Sequence, residues 1–148
     1  MKNTRTLCLL MLITVAASPA TAAPDATGEA LQRAAADGRW EEVRLIADSL
    51  LAVDPSDTRA LAVRAEAHRR GDRLHAARAD YEALTRLLDE DPSPWFWIGT
   101  IYRWQGRSDE ALEAYARALT LDLKHHGALT GRARIFLAQG RPGIAEAE

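Results

Sequence analysis

The sequence predicts an all-α solenoid of stacked helix–turn–helix units, about three and a half of them in 148 residues. Three observations carry that expectation. The chain resembles itself at an offset of 34 residues, its apolar residues follow helical spacing, and glycines punctuate the helical stretches. Stepping back from Trp95, Gly99, Tyr102, Ala111 and Tyr115 lands on Leu61, Ala65, His68, Ala77 and Tyr81; a further step from Ala77 lands on Val43. Stepping forward from Gly99, Tyr102 and Ala111 lands on Ala133, Phe136 and Ala145. Small residues recur where helices must approach closely and large apolar ones where a core is needed. A repeat of this length marks supersecondary units, each of which buries its apolar face only by stacking on a neighbour.

The units are preceded by a leader. Lys2 and Arg5 give a basic start, and an apolar run follows from Leu7 to Ala17. A small-x-small pattern comes next, at Ala20-Thr21-Ala22. Residues 1–22 therefore read as a secretory signal peptide cut after Ala22, with residues 23–148 as the exported domain. An uncleaved anchor is the alternative, but a spanning helix needs roughly 20 apolar residues and this run has 11. Cys8 is the only cysteine and leaves with the leader. The exported part then has no thiol, which excludes disulfides, cysteine nucleophiles and thiolate metal sites together.

The domain divides into repeats 24–57, 58–91 and 92–125 and a partial repeat 126–148. The first keeps Gly38, Trp40, Val43, Ala47, Leu50 and Pro55, but its leading helix, from Thr27 to Ala36, is weakly apolar. The second is looser, with Leu61, Arg64, Ala65 and His68, then Ala77 and Tyr81; its glycine, Gly71, falls one residue early. The third is clearest. Trp95, Ile98, Gly99 and Tyr102 stand at i, i+3, i+4 and i+7 and line one helix face. Ser93-Pro94 is expected to start that helix, and Gln105-Gly106 to end it in a left-handed turn. Ser108-Asp109-Glu110 should cap a second helix with the stripe Ala111, Leu112, Tyr115, Ala118 and Leu119. The fourth begins with Leu129, Arg132, Ala133, Phe136 and Gly140 and reaches Glu148 about one turn into its second helix.

These positions resemble the tetratricopeptide repeat, whose pattern runs W-x2-L-G-x2-Y, then A-x3-F, then P. Here it is carried by Trp95, Ile98, Gly99, Tyr102, Ala111 and Tyr115, with Leu123 in place of the proline. The resemblance implies a right-handed α-solenoid whose leading helices line a concave face. Exported bacterial members of the family commonly serve secretion, envelope assembly or polysaccharide export, so the resemblance implies a protein-binding adaptor in the periplasm.

The side chains left for the concave face are those the apolar stripe does not use. In the third unit they are Phe96, Trp97, Thr100, Arg103 and Trp104; the 34-residue offset adds Glu66, Arg69 and Arg70 before them and Arg134 after them. Aromatics and arginines anchor interfaces more often than other residues do, and guanidinium forks match carboxylates. The expected ligand is an extended or helical protein segment carrying acidic groups. The alternative is that Trp97 or Trp104 packs between units while the arginines are solvated surface. Some relatives grip a terminal carboxylate with Lys and Asn on this face; Gly28, Gln32, Val63, Ser93 and Trp97 stand at those places here, so that clamp is not expected. A second functional reading is a glycan-binding accessory, with tryptophans stacking on sugar rings.

Catalysis, metals and cofactors are not expected. His125-His126 are adjacent and diverge on a helix, the serines sit at turns, caps or a helix surface, and no glycine-rich phosphate loop occurs. Net charge is −2, and without Lys2 and Arg5 the remainder holds 17 basic and 21 acidic residues. Nucleic-acid binders are usually basic, so nucleic acid is not an expected partner. No membrane span is expected once the leader is gone. The last unit lacks a full partner helix, so an apolar edge near Leu129, Ile135 and Phe136 is a candidate for self-association.

Overall fold

The computed structural model describes residues 24–140. The expected leader and cleavage site and the expected second helix of the fourth unit, Ala145 included, lie outside the described residues. Seven helices occupy the described part and no strand occurs there: α1 (Pro24–Ala36), α2 (Trp40–Val53), α3 (Thr58–Arg70), α4 (Leu74–Leu87), α5 (Pro92–Trp104), α6 (Ser108–Leu121) and α7 (His126–Ala138). Each helix packs on its sequence neighbours, and α5 also touches α7. None of them is long and apolar enough to cross a membrane.

The period is visible in the caps and turns as well as in the core. Asp57 and Asp91 accept hydrogen bonds from the first free N–H groups of α3 and α5, and His125 Nδ1 does so for α7. This corrects the expected start of α5: the cap is Asp91, with Pro92 as the first helical residue, and Ser93 donates its backbone N–H to the aspartate at 2.8 Å. Proline fits there because its missing donor has no partner in the first turn. Ser108 likewise does not cap α6. Arg107 holds that position and makes no cap bond; its guanidinium pairs with Glu110 inside the first turn at 2.6 and 2.8 Å.

The turn that ends each leading helix needs one residue in the left-handed region. Gly38, Gly106 and Gly140 supply it with φ of 70°, 74° and 69°. In the second unit that residue is Asp72, at φ 57°, and Gly71 before it is ordinary, at φ −86°. The displaced glycine therefore does not shorten the turn. An aspartate carries the strained conformation instead, which short polar side chains tolerate better than others.

The core is a chain of clusters rather than one centre. Leu31, Ala34, Val43 and Ala67 form the first; Leu61, Ala65, Tyr81, Leu84, Ile98 and Ile101 belong to the second; Ala111, Tyr115, Ala118, Ala128 and Ile135 belong to the third. Trp95 and Tyr102 are half-buried and pack against both the second and the third. Gly99 has the close approach its position implies: a Cβ there would lie 2.8 Å from the Tyr115 ring. The expected apolar edge is not open. Ile135 and Phe136 are buried, Ile135 against the α6 stripe, and Leu129 is half-buried.

One departure is electrostatic. Arg64 stands where the third unit has Ile98, and it is matched by Asp80 where that unit has Ala114. The guanidinium also reaches Asp48 of α2 at 3.0 Å, so one arginine ties α2, α3 and α4 together.

Candidate partner-binding groove

The nine residues expected on the concave face come from α3, α5 and α7, and the structure sorts them into two different sites. The first centres on Glu66. Arg69 donates to it through Nε at 2.7 Å and also through Nη2, and Arg70 adds a bond through Nε at 2.7 Å. Burial pushes the Glu66 carboxyl upward, but the hydrogen bonds from Arg69 and Arg70 outweigh this and hold it below the usual range. Both arginines are thus engaged within their own helix.

Trp97 is built into the same cluster. Its ring stacks on Tyr81 (centroids 6.2 Å apart, 15° between planes), meets Phe96 at 4.9 Å, and lies under the Arg69 guanidinium at 4.5 Å. Tyr81 is buried, which pushes its phenol above the ordinary value. Trp97 is half-buried and bridges the second and third units. Its packing role is thus the one weighed as the alternative to a free groove residue. Trp104 differs. It is 45% exposed, with Arg69 at 5.9 Å from its ring. Arg70 lies over Trp40 at 4.8 Å, a contact with the first unit that the offset alone does not show.

The second site lies between α5 and α7. Phe96, Thr100 and Arg103 from α5 face Thr130, Gly131 and Arg134 from α7 across an open cleft of about 300 Å³. Tyr115 of α6 closes its floor, and its hydroxyl lies 3.2 Å from Thr100 Oγ1, so Thr100 is buried rather than displayed. Glycines on α7 let the aromatics of α5 and α6 close onto its backbone beside this cleft. A Cβ on Gly131 would lie 2.4 Å from the Tyr115 ring, and one on Gly127 would lie 2.7 Å from Phe96. Gly131 is the counterpart of Trp97, and the space a side chain would take there is occupied by the Tyr115 ring. Sequence reasoning missed Gly127 and the Tyr115 floor. The signal was the pair of glycines four apart, aligned against two upstream aromatics.

Comparison with known proteins bears on the fold. Paired helices with a concave aromatic and basic face define an α-helical repeat scaffold. Residues 92–125 match the tetratricopeptide repeat family. Solved structures with the same fold include a crystal structure of MamA, with a TM-score of 0.76 at 15% identity over 83% of this chain and 72% of that one. MamA from Desulfovibrio magneticus RS-1, from residue 41 to its end, gives 0.75 at 15% identity over 84% and 70%. The first repeat domain of Spaghetti (RPAP3), bound to the HSP90 peptide SRMEEVD, gives 0.70 at 19% identity over 77% and 90%. No curated protein matches the sequence. Residues 92–125 thus carry the tetratricopeptide repeat, and the described residues share the helical-repeat fold of these solved structures.

Proposed function

We propose that this protein is a non-enzymatic adaptor that receives an acidic segment of a partner protein on the face formed by α3, α5 and α7, and that it works in the periplasm of a bacterium. The observation that carries this reading is the placement of the exposed Trp104 and of Arg103 on α5 with Arg134 on α7, the next leading helix. Aromatic and guanidinium groups on one concave face suit an extended segment, with area from the rings and orientation from the forks. The fold supports it too, since one structural neighbour holds a short acidic peptide. The envelope assignment rests on the leader, with Lys2 and Arg5 before an apolar run and Ala20-Thr21-Ala22 after it.

Affinity capture from an envelope extract tests the binding part. A partner retained by the native chain, lost with Trp104→Ala and eluted by raised salt supports it; retention that ignores both changes refutes it. N-terminal sequencing of the protein from a periplasmic fraction tests the address. A start at Ala23 is expected, and an intact Met1 in the membrane fraction would replace export with anchoring.

A further inference from the structure

The two basic sites on the concave face are not equivalent. Arg69 and Arg70 share Glu66 and cover Trp97 and Trp40, so their donors and charge are largely spent within the protein. Arg103 and Arg134 have no carboxylate partner among the described residues, and no acidic side chain lines their cleft. The Nε of Arg103 is fully buried with no hydrogen-bond partner among the described residues. A buried donor on a permanently charged group is costly to leave unmatched. Elsewhere the chain pairs its half-buried arginines: Arg44 with Glu41 and Asp48, Arg64 with Asp48 and Asp80, Arg78 with Glu82.

We propose that the α5–α7 cleft is the anchor point of the groove and that it takes one acidic side chain of the partner segment, carboxylate against Arg103 and Arg134 and stem against Phe96 and the Gly127–Gly131 backbone. This rests on the adaptor reading above and says where on that surface the affinity resides. The chemistry follows from the lining. Two guanidiniums without a counter-ion select an anion, and a planar carboxylate matches their forks better than a spherical ion does. The aromatic wall and the glycine surface favour a group that arrives on a carbon stem rather than a free hydrated ion. The cleft is walled by groove-facing positions of two leading helices, so a segment lying along the groove meets it with a side chain.

The test uses two blocked hexapeptides, acetylated and amidated, one alternating glutamate with phenylalanine and one alternating glutamine with phenylalanine. Binding to the full mature chain is read by nuclear magnetic resonance titration. The glutamate peptide is expected to bind about tenfold more tightly than the glutamine peptide, and Arg103→Gln or Arg134→Gln should each remove about that factor. Arg86→Gln, at an exposed position of α4 away from the leading helices, should leave it unchanged. A circular-dichroism spectrum and melting curve like the native ones would show that the variants fold. Equal affinity for the two peptides, or native affinity in the Arg103→Gln and Arg134→Gln variants, overturns the anchor while leaving the groove intact. Binding of neither peptide, blocked or unblocked, overturns both. Binding that requires a free terminal carboxylate, seen when unblocked peptides bind and blocked ones do not, overturns the side-chain assignment.

Discussion

Arg64 and Asp80 meet in a two-pronged ion pair, with Nε donating at 3.0 Å and Nη2 at 2.6 Å to the two carboxylate oxygens. Asp80 is almost wholly buried, and Arg64 is a quarter exposed. The same two positions one unit later hold Ile98 and Ala114, which simply pack. The second unit has thus exchanged an apolar contact for a charged one without changing the hairpin around it. Removing one partner strands a buried charge, whereas removing both returns the site to the apolar solution. Asp80→Ala should cost about 3 kcal/mol, the lower end of the usual range because Asp48 still holds Arg64. The double change Arg64→Ile with Asp80→Ala should recover most of that loss. Urea denaturation of the two variants and the native chain checks both outcomes.

Asp72 occupies a turn position that the other units give to glycine. Asp72→Gly relieves a left-handed conformation and should raise stability by about 0.5–1 kcal/mol, the strain removed exceeding the added chain entropy. Asp72→Val should lower stability instead, because β-branching is least compatible with positive φ. A shift of the thermal midpoint in opposite directions is the expected result.

Trp97 and Trp104 should separate stability from binding only partly. Trp97 is stacked between units, so Trp97→Ala should cost about 2–3 kcal/mol through lost packing, and any loss of binding will be mixed with unfolding. Trp104, 45% exposed, should cost under about 1 kcal/mol and weaken partner binding at native stability. It is the cleaner reporter, and chemical denaturation beside a binding titration distinguishes the two.

His68 gives the stability a dependence on acid. It replaces an aromatic of the repeat, its Nδ1 is buried without a hydrogen-bond partner among the described residues, and its Nε2 lies 3.9 Å from Asp80. Burial pulls its pKa down; Asp80 pulls it back up, Arg64 and Arg73 push it lower, and Asp48 raises it slightly. The folded imidazole therefore binds a proton less readily than the unfolded one, whose value is about 6.5. This contribution is complete above that value and is lost as pH falls below it. His68→Phe should lose less stability between about pH 7 and 5 than the native chain does; equal losses would remove His68 from the account.

The helices were legible because they depend on spacing, which a 34-residue offset exposes directly. The features missed are those that depend on which partner a side chain finds. Arg64 looked like a fault in the apolar stripe until Asp80 supplied its match from the next helix. Ser93 and Ser108 are good caps by type, yet Asp91 and Arg107 hold those positions, one place before each helix begins. Arg69 and Arg103 are the same residue at equivalent positions in successive units, yet one has a glutamate three residues before it and the other has Thr100 there. That difference is written in the sequence, but its meaning depends on knowing that both side chains stand on one face.

The seventh helix is held by aromatics that are not its own. Gly127 and Gly131 offer only bare backbone, and Phe96 and Tyr115 press against it from α5 and α6. The grip on this end of the array is therefore encoded a full unit upstream. A lesion at Phe96 would loosen a helix that it precedes by one whole repeat, and would show itself first as faster amide exchange there.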